Sequence, residues 1–154
     1  MIHFNAGASL RKTAAALCLV TASFGATQAV AEPELTIKAA HAASATNTGH
    51  LALEFIDEQM RERTEGRIGL EIFPNGQLGG ERELIESLQL GNLDMAFVSS
   101  APLGSFNKEY FALDIPFLFK DRESVYRVLD GEVGQGLLDS LERVGLHGVG
   151  YWEN

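Results

Sequence analysis

The sequence predicts an α/β domain, a mainly parallel sheet flanked by helices, on three observations. Short alternating or β-branched runs at 35–40, 67–73 and 93–98 are separated by two stretches whose apolar residues recur at helical spacing. The resulting order of strand, helix, strand, helix, strand is the pattern of crossovers onto a parallel sheet. A glycine-rich turn, Phe73-Pro-Asn-Gly-Gln-Leu-Gly-Gly-Glu-Arg-Glu83, joins the second strand to the second helix. In open α/β sheets, ligands sit beyond the carboxyl ends of strands, where helix starts present unpaired N–H groups.

Leu35-Thr36-Ile37-Lys38-Ala39-Ala40 supplies the first strand, and 41–48 is a turn of small residues. In the helix that follows, Ala52, Phe55, Ile56 and Met60 share one face. Thr46, Asn47 or Thr48 caps its start and Gly66 its end. Apolar residues at 68, 70 and 72 mark the second strand, which enters the turn at Pro74-Asn75-Gly76. Leu84, Ile85 and Leu88 are the buried face of the next helix, with Glu81 and Glu83 in its first turn, where the dipole favours acids, and Gly91 past its end.

The third strand, Leu93 to Val98, delivers Ser99 and Ser100 at its carboxyl end. Residues 102–107 read as loop, and Phe111 to Phe119 as a core segment or a cleft wall. Asp121 caps a helix whose Val125, Val128 and Leu129 face inward. Val133, Leu137, Leu141 and Val144 then define a last helix, Gly145 stops it, and 146–152 reads as a strand.

Residues 1–31 hold no acid, carry Arg11 and Lys12 before an apolar run, and end in Ala29-Val30-Ala31. These are the parts of a signal peptide cleaved after Ala31, which implies export to the periplasm. Its apolar run is shorter than the roughly 20 residues that span a bilayer. The single cysteine, Cys18, falls inside that segment, so residues 32–154 contain no disulfide. With Arg11 and Lys12 removed, 10 basic residues face 21 acidic ones, a net charge of −11. That sign disfavours nucleic acid and anionic lipid as partners and gives the exported chain no basic cluster for an anion.

The glycines at 76, 79 and 80 make neither G-x-G-x-x-G nor a phosphate loop, so no nucleotide or other cofactor is expected. They serve either as a tight turn or as a close backbone approach for an anion. Glu81 and Glu83 are two apart on a helix and point about 200° away from each other, so they do not face as a catalytic pair. His41, His50 and His147 lack metal-ligand spacing. His41 stands at the end of the first strand, as a ligand contact or as a solvated loop residue. Ser99 and Ser100 lack the context of a hydrolase nucleophile and read as hydrogen-bond donors. A periplasmic hydrolase built on Glu81, Glu83 and Asp94 is the competing reading.

Four blocks carry a resemblance: the turn 73–83, Leu90-Gly-Asn-Leu-Asp-Met-Ala96, Asp114-Ile-Pro-Phe-Leu-Phe119 and Tyr151-Trp-Glu-Asn154. In this order they resemble the DctP-type solute-binding subunit of TRAP transporters. The resemblance implies a periplasmic-binding-protein-like fold of type II style, with two lobes closing on a small organic acid such as a C4-dicarboxylate. It implies delivery to one small and one large membrane permease subunit on an ion gradient, without ATP, and no catalysis by the binding subunit. Carried over by position, Glu81, Ser99, Ser100, Trp152, Asn154 and His41 are the site residues, with Asn154 near the hinge. Residues 32–154 then correspond to the first lobe alone, a truncated form that is not expected to hold the ligand tightly by itself. The arginines that pair with the ligand carboxylate in such proteins follow beyond the position of Asn154.

Overall fold

A computed structural model describes residues 33–152. The expected signal peptide with its cleavage site, and Asn154, lie outside the described residues. Three parallel strands, β1 (Leu35–His41), β2 (Ile68–Phe73) and β3 (Met95–Phe97), form one sheet in the order β2-β1-β3. Leu35 lies opposite Ile68 and Ala40 opposite Phe73, while His41 is level with Phe97 across the other side. Helices α1 (Thr48–Arg63) and α2 (Glu81–Gln89) provide the two crossovers.

Because side chains alternate along a strand, neighbouring residues of β1 feed opposite cores. Ala39 packs with Leu53 of α1 and Leu70 of β2, flanked by Ile37, Ile56, Met60 and Ile72. Ala40 packs with Leu84 of α2 and Leu93, flanked by Phe73, Leu88, Ala96 and Val98. The sheet is thus covered by a helix on each face, and the expected α/β class with a parallel sheet is the observed one. Ala39 and Ala40 leave no exposed surface, so both helices approach the central strand closely.

Asn47 caps α1 by accepting from the Gly49 N–H at 2.8 Å. The inward face of this helix differs from the expected one. Phe55 is 60 % exposed, and His50 and Leu53 are buried instead. The cause is Asp57, whose carboxylate accepts the Leu70 N–H of β2 at 2.6 Å and grips Arg61 at 2.8 Å. Turning Asp57 toward the sheet brings Leu53, Ile56 and Met60 inward and leaves Phe55 outside. Burial raises the Asp57 pKa, but the Arg61 and Leu70 hydrogen bonds and the Arg61 charge outweigh it and hold the carboxyl below its ordinary value.

Beyond β3 the architecture departs further from expectation. Ser100–Leu103 forms a short helix, α3, and Lys108–Asp114 a 3₁₀ helix, where a loop and an apolar segment were expected. Most of 111–118 is not core: Phe111, Ile115, Phe117 and Leu118 are all exposed, Phe117 completely. Helices α4 (Arg122–Leu129) and α5 (Glu132–Ser140) form as expected, α4 with its Asp121 cap accepting from the Ser124 N–H at 2.8 Å. Val133 lies outside, since α5 turns Gly134 and Ser140 inward. A 3₁₀ turn at Leu141–Val144 ends at Gly145, whose φ of 75° suits glycine.

Residues 146–152 do not form the expected strand. They lack a ladder partner among the described residues, and Gly148 and Gly150 contribute no side chains to hold them flat. The segment is tied down at Tyr151, which donates to the Gly134 carbonyl at 2.8 Å, and Tyr110 beside it donates to the Leu137 carbonyl at 3.2 Å. Burial first, and the nearness of Tyr151 second, raise the pKa of Tyr110 well above the ordinary phenol value.

Candidate functional site

The carboxyl ends of all three strands meet the starts of α1, α2 and α3, and His41, Glu81, Ser99 and Ser100 lie there. The glycine turn is fastened to the end of β1 by two backbone bonds, Asn75 N–H to the Ala43 carbonyl at 2.9 Å and Gly76 N–H to the His41 carbonyl at 3.1 Å. Asn75 and Gly76 both have positive φ, 57° and 66°, which asparagine and glycine tolerate best. Glu81 therefore enters α2 from a turn whose position is set by β1.

One oxygen of Glu81, Oε1, accepts both the N–H of Ser99 at 3.1 Å and its hydroxyl at 2.9 Å. The Ser100 hydroxyl donates to Asp114 Oδ1 at 3.3 Å. Both serines thus act as hydrogen-bond donors, and in this structure their hydroxyl protons go to carboxylates of the chain itself. Toward anything bound, each serine offers lone pairs. Ser99 and Ser100 line a groove of about 780 Å³ together with Phe97, Leu103, Tyr110 and Trp152.

The Glu83 carboxylate lies against Gly80, where an added Cβ would stand 2.9 Å from its Oε2. The tight turn is observed, with Gly76 and Gly79 both at positive φ, 66° and 110°. Asp94 is also engaged structurally, capping the start of β3 by accepting the Lys38 N–H at 2.9 Å. Arg82, next to Glu81 in sequence, turns to Glu86 at 3.1 Å and stacks over Phe106 at 5.2 Å.

His41 is neither solvated nor exposed to a ligand: it has no accessible surface. Its Nε2 meets His50 Nδ1 at 3.0 Å, and His50 Nε2 meets Glu54 at 3.3 Å, so a relay runs from the end of β1 to the surface of α1. His41 Nδ1 has no hydrogen-bond partner of good geometry. Burial first and His50 second lower the His41 pKa, against an opposing contact with the Ala43 backbone, so the ring is held neutral. Phe97 packs edge-on to His41 at 6.3 Å and to Trp152 at 6.4 Å, linking the buried pair to the groove. Gly49 makes this possible, since a Cβ there would come within 2.6 Å of the Phe97 ring.

Sequence reasoning did not place His50 at the site. The signal was available, because His50 and Leu53 are three apart and share a helix face. Among the described residues no cluster of three histidine, cysteine or carboxylate side chains is arranged to hold a metal.

Strand ends, a fixed glycine turn and a groove thus lie together on one side of an α/β layer. A family model for bacterial extracellular solute-binding proteins, family 7, known as DctP, matches residues 39–154, and the chain belongs to that family. It is similar to the C4-dicarboxylate-binding periplasmic protein DctP of Rhodobacter capsulatus, 38 % identical over 82 % of this chain and 38 % of that one. Among solved structures, it resembles the sugar acid binding protein DctPAm from Advenella mimigardefordensis in complex with galactonate. That match has a TM-score of 0.76 and 35 % identity, covering 80 % of this chain and 39 % of the other. A TRAP periplasmic solute-binding protein from Sulfurospirillum deleyianum with bound succinate gives a TM-score of 0.69 and 37 % identity, covering 72 % and 36 %.

The chain spans 31 % to 42 % of the length of the curated relatives it matches. The fold is that of one lobe of a periplasmic-binding-protein-like structure. The family is one of transport proteins rather than enzymes, and the competing hydrolase reading finds no support among these relatives. No helix among the described residues is long and apolar enough to cross a membrane.

Proposed function

We propose that this chain is the first lobe, ending near the hinge, of the periplasmic solute-binding component of a TRAP transporter. It captures a small organic acid of the C4-dicarboxylate or sugar-acid class and passes it to a small and a large permease subunit, with uptake driven by an ion gradient. Residues 1–31 act as a signal peptide cleaved after Ala31, and residues 32–154 constitute the lobe. The observation that carries this reading is the bond of Glu81 to Ser99, which locks the start of α2 to the end of β3 beside the groove. Glu81, Ser99, Ser100, Trp152 and Asn154 line or flank the ligand, and His41 supports Phe97 from behind.

The test is isothermal titration calorimetry of the protein, in the form its gene encodes, against a panel of C4-dicarboxylates, hydroxydicarboxylates and sugar acids. Saturable heat with at least one of them is expected. Absence of heat and of thermal shift with every acid would sink the reading. Intact-mass measurement of the exported protein, expected to begin at Glu32, tests the processing step.

A further inference from the structure

We propose that the buried pair His41 and His50 is a proton-dependent prop for the aromatic wall of the groove: with two protons shared along the relay it holds Phe97 against Trp152, and uptake of a third releases them. The inference rests on the proposed binding function and names a regulation of that site. Packing carries the first half. Phe97 is wedged among three neighbours: His41 of β1 at 6.3 Å, Trp152 at 6.4 Å, and Gly49 of α1, where a Cβ would stand 2.6 Å from the ring. Phe97 and Trp152 line the groove, whereas His41 has no accessible surface. His41 is therefore a positioning residue, acting on the groove through Phe97.

Proton counting carries the second half. One proton lies between His41 Nε2 and His50 Nδ1 at 3.0 Å, and one between His50 Nε2 and Glu54 at 3.3 Å. A third either stands on His41 Nδ1, which is buried without a hydrogen-bond partner, or enters the bridge and sets two N–H groups against each other. Both arrangements leave an N–H unsatisfied in the interior, so the ring must move. The contact that favours a proton on His41 is the Ala43 backbone, and the Ala43 carbonyl already accepts the Asn75 N–H at 2.9 Å, so the new bond competes with the fastening of the glycine turn. The elements packed on His41 bring little to hold a cation there. From α1 come His50 and, beyond it, Glu54; from β3 comes Phe97; Phe73 of β2 stands level with Ala40; the turn at 74–76 brings backbone groups. Among the described residues no carboxylate is hydrogen-bonded to His41.

Trp152 is the one tryptophan of the chain and reports on the wall without any ligand. In a fluorescence titration of the intact chain from about pH 8 to about pH 5, its emission should change in one step with a midpoint below 6.5, the ordinary histidine value, while the far-UV spectrum stays constant. Arg122 and Asp130 in the neighbouring cavity, and Asp94 and His147 in the groove, also surround Trp152. His147→Gln removes the other imidazole of the groove and should keep the step. His41→Gln should abolish it, and so should Phe97→Leu, which leaves both histidines in place and keeps the test open if the buried glutamine prevents folding. Calorimetry with the acids of the panel at about pH 7.5 and about pH 5.5 gives the second readout: on acidification the wild-type Kd should rise about threefold more than that of His41→Gln. A flat emission, a step that persists in His41→Gln or Phe97→Leu, a step lost in His147→Gln, a step that coincides with loss of far-UV signal, or an equal rise of Kd in both proteins overturns the inference and leaves the binding function standing. A panel in which no acid binds sinks the binding function, and the fluorescence step then decides the prop by itself.

Discussion

Residues 35–98 and 99–152 are built to different standards. The first contains Ala39, Ala40, Leu53, Leu70, Leu84, Ile85 and Leu93, all buried, on both faces of a sheet. The second contributes only Tyr110 and Leu141 to the buried apolar set and exposes Phe111, Ile115, Phe117, Leu118, Tyr126, Val133, Val149 and Trp152. Helix α4 has no buried residue at all. Yet the groove is walled largely by the second region and anchored by the first. The lesson is a division of labour: the buried layer positions Glu81 and Phe97, while the apolar segment after it stays exposed. Large exposed apolar patches mark surfaces that meet partners.

The strongest way to break this contrast is by paired truncation. Leu84→Ala removes a fully buried side chain and is expected to cost about 2–5 kcal/mol, whereas Phe117→Ala, at a fully exposed site, changes stability by less than about 0.5 kcal/mol. Urea denaturation of the two variants decides it, and comparable losses would show that the second region is packed as tightly as the first.

Asp57→Ala tests the first region's polar anchor. The Leu70 N–H loses its acceptor and Arg61 its partner, with an expected loss of about 1–3 kcal/mol. Because the folded pKa of Asp57 is below its ordinary value of 3.8, its stabilisation is present above that pH and is lost as pH falls through the lower folded value. A wild-type acid-denaturation limb that is no steeper than that of Asp57→Ala would remove Asp57 from this role.

A smaller effect separates the regions by pH near neutrality. His41 has a folded pKa below its ordinary 6.5, so the unfolded chain takes up the proton more readily. Stability contributed by neutral His41 is complete above pH 6.5 and declines as the pH falls below it. His41→Gln should flatten the decline in melting temperature over that window, and a decline as steep as the wild type's would remove His41 from this role.

The mildest readout is dye binding. The chain is expected to enhance the fluorescence of a hydrophobic dye, and Ile115→Ser with Phe117→Ser to reduce it without shifting the melt. A signal that persists in the double variant would place the accessible apolar surface elsewhere.

What was legible in the sequence follows the same division. Alternation at 35–40 and 68–72 and the helical spacing of Leu84, Ile85 and Leu88 located the sheet and α2, because burial on one face writes a period into the chain. The face of α1 was misread, since a single polar contact, Asp57 to Leu70, selected between two adjacent stripes. The run at 146–152 looked like a strand, but strand character is realised only beside a partner. At the site, the glycine turn and the position of Glu81 were readable. Its bond to Ser99, spanning 18 residues, and the burial of His41 were not, for no local pattern encodes which carboxylate receives which N–H.

The histidine relay has a consequence for where protons sit. The Glu54 carboxylate can only accept, so His50 donates to it from Nε2, and a ring with that single proton carries a lone pair on Nδ1. That lone pair takes the proton of His41 Nε2 and leaves Nδ1 of the inner ring bare and buried. The end of β1 and the start of α1 thus meet in two imidazole dipoles aligned head to tail, with one tautomer set on both rings by Glu54 at the surface. Nitrogen NMR at mildly alkaline pH should find both histidines protonated at Nε2, and Glu54→Gln, whose amide can also donate, should release that order.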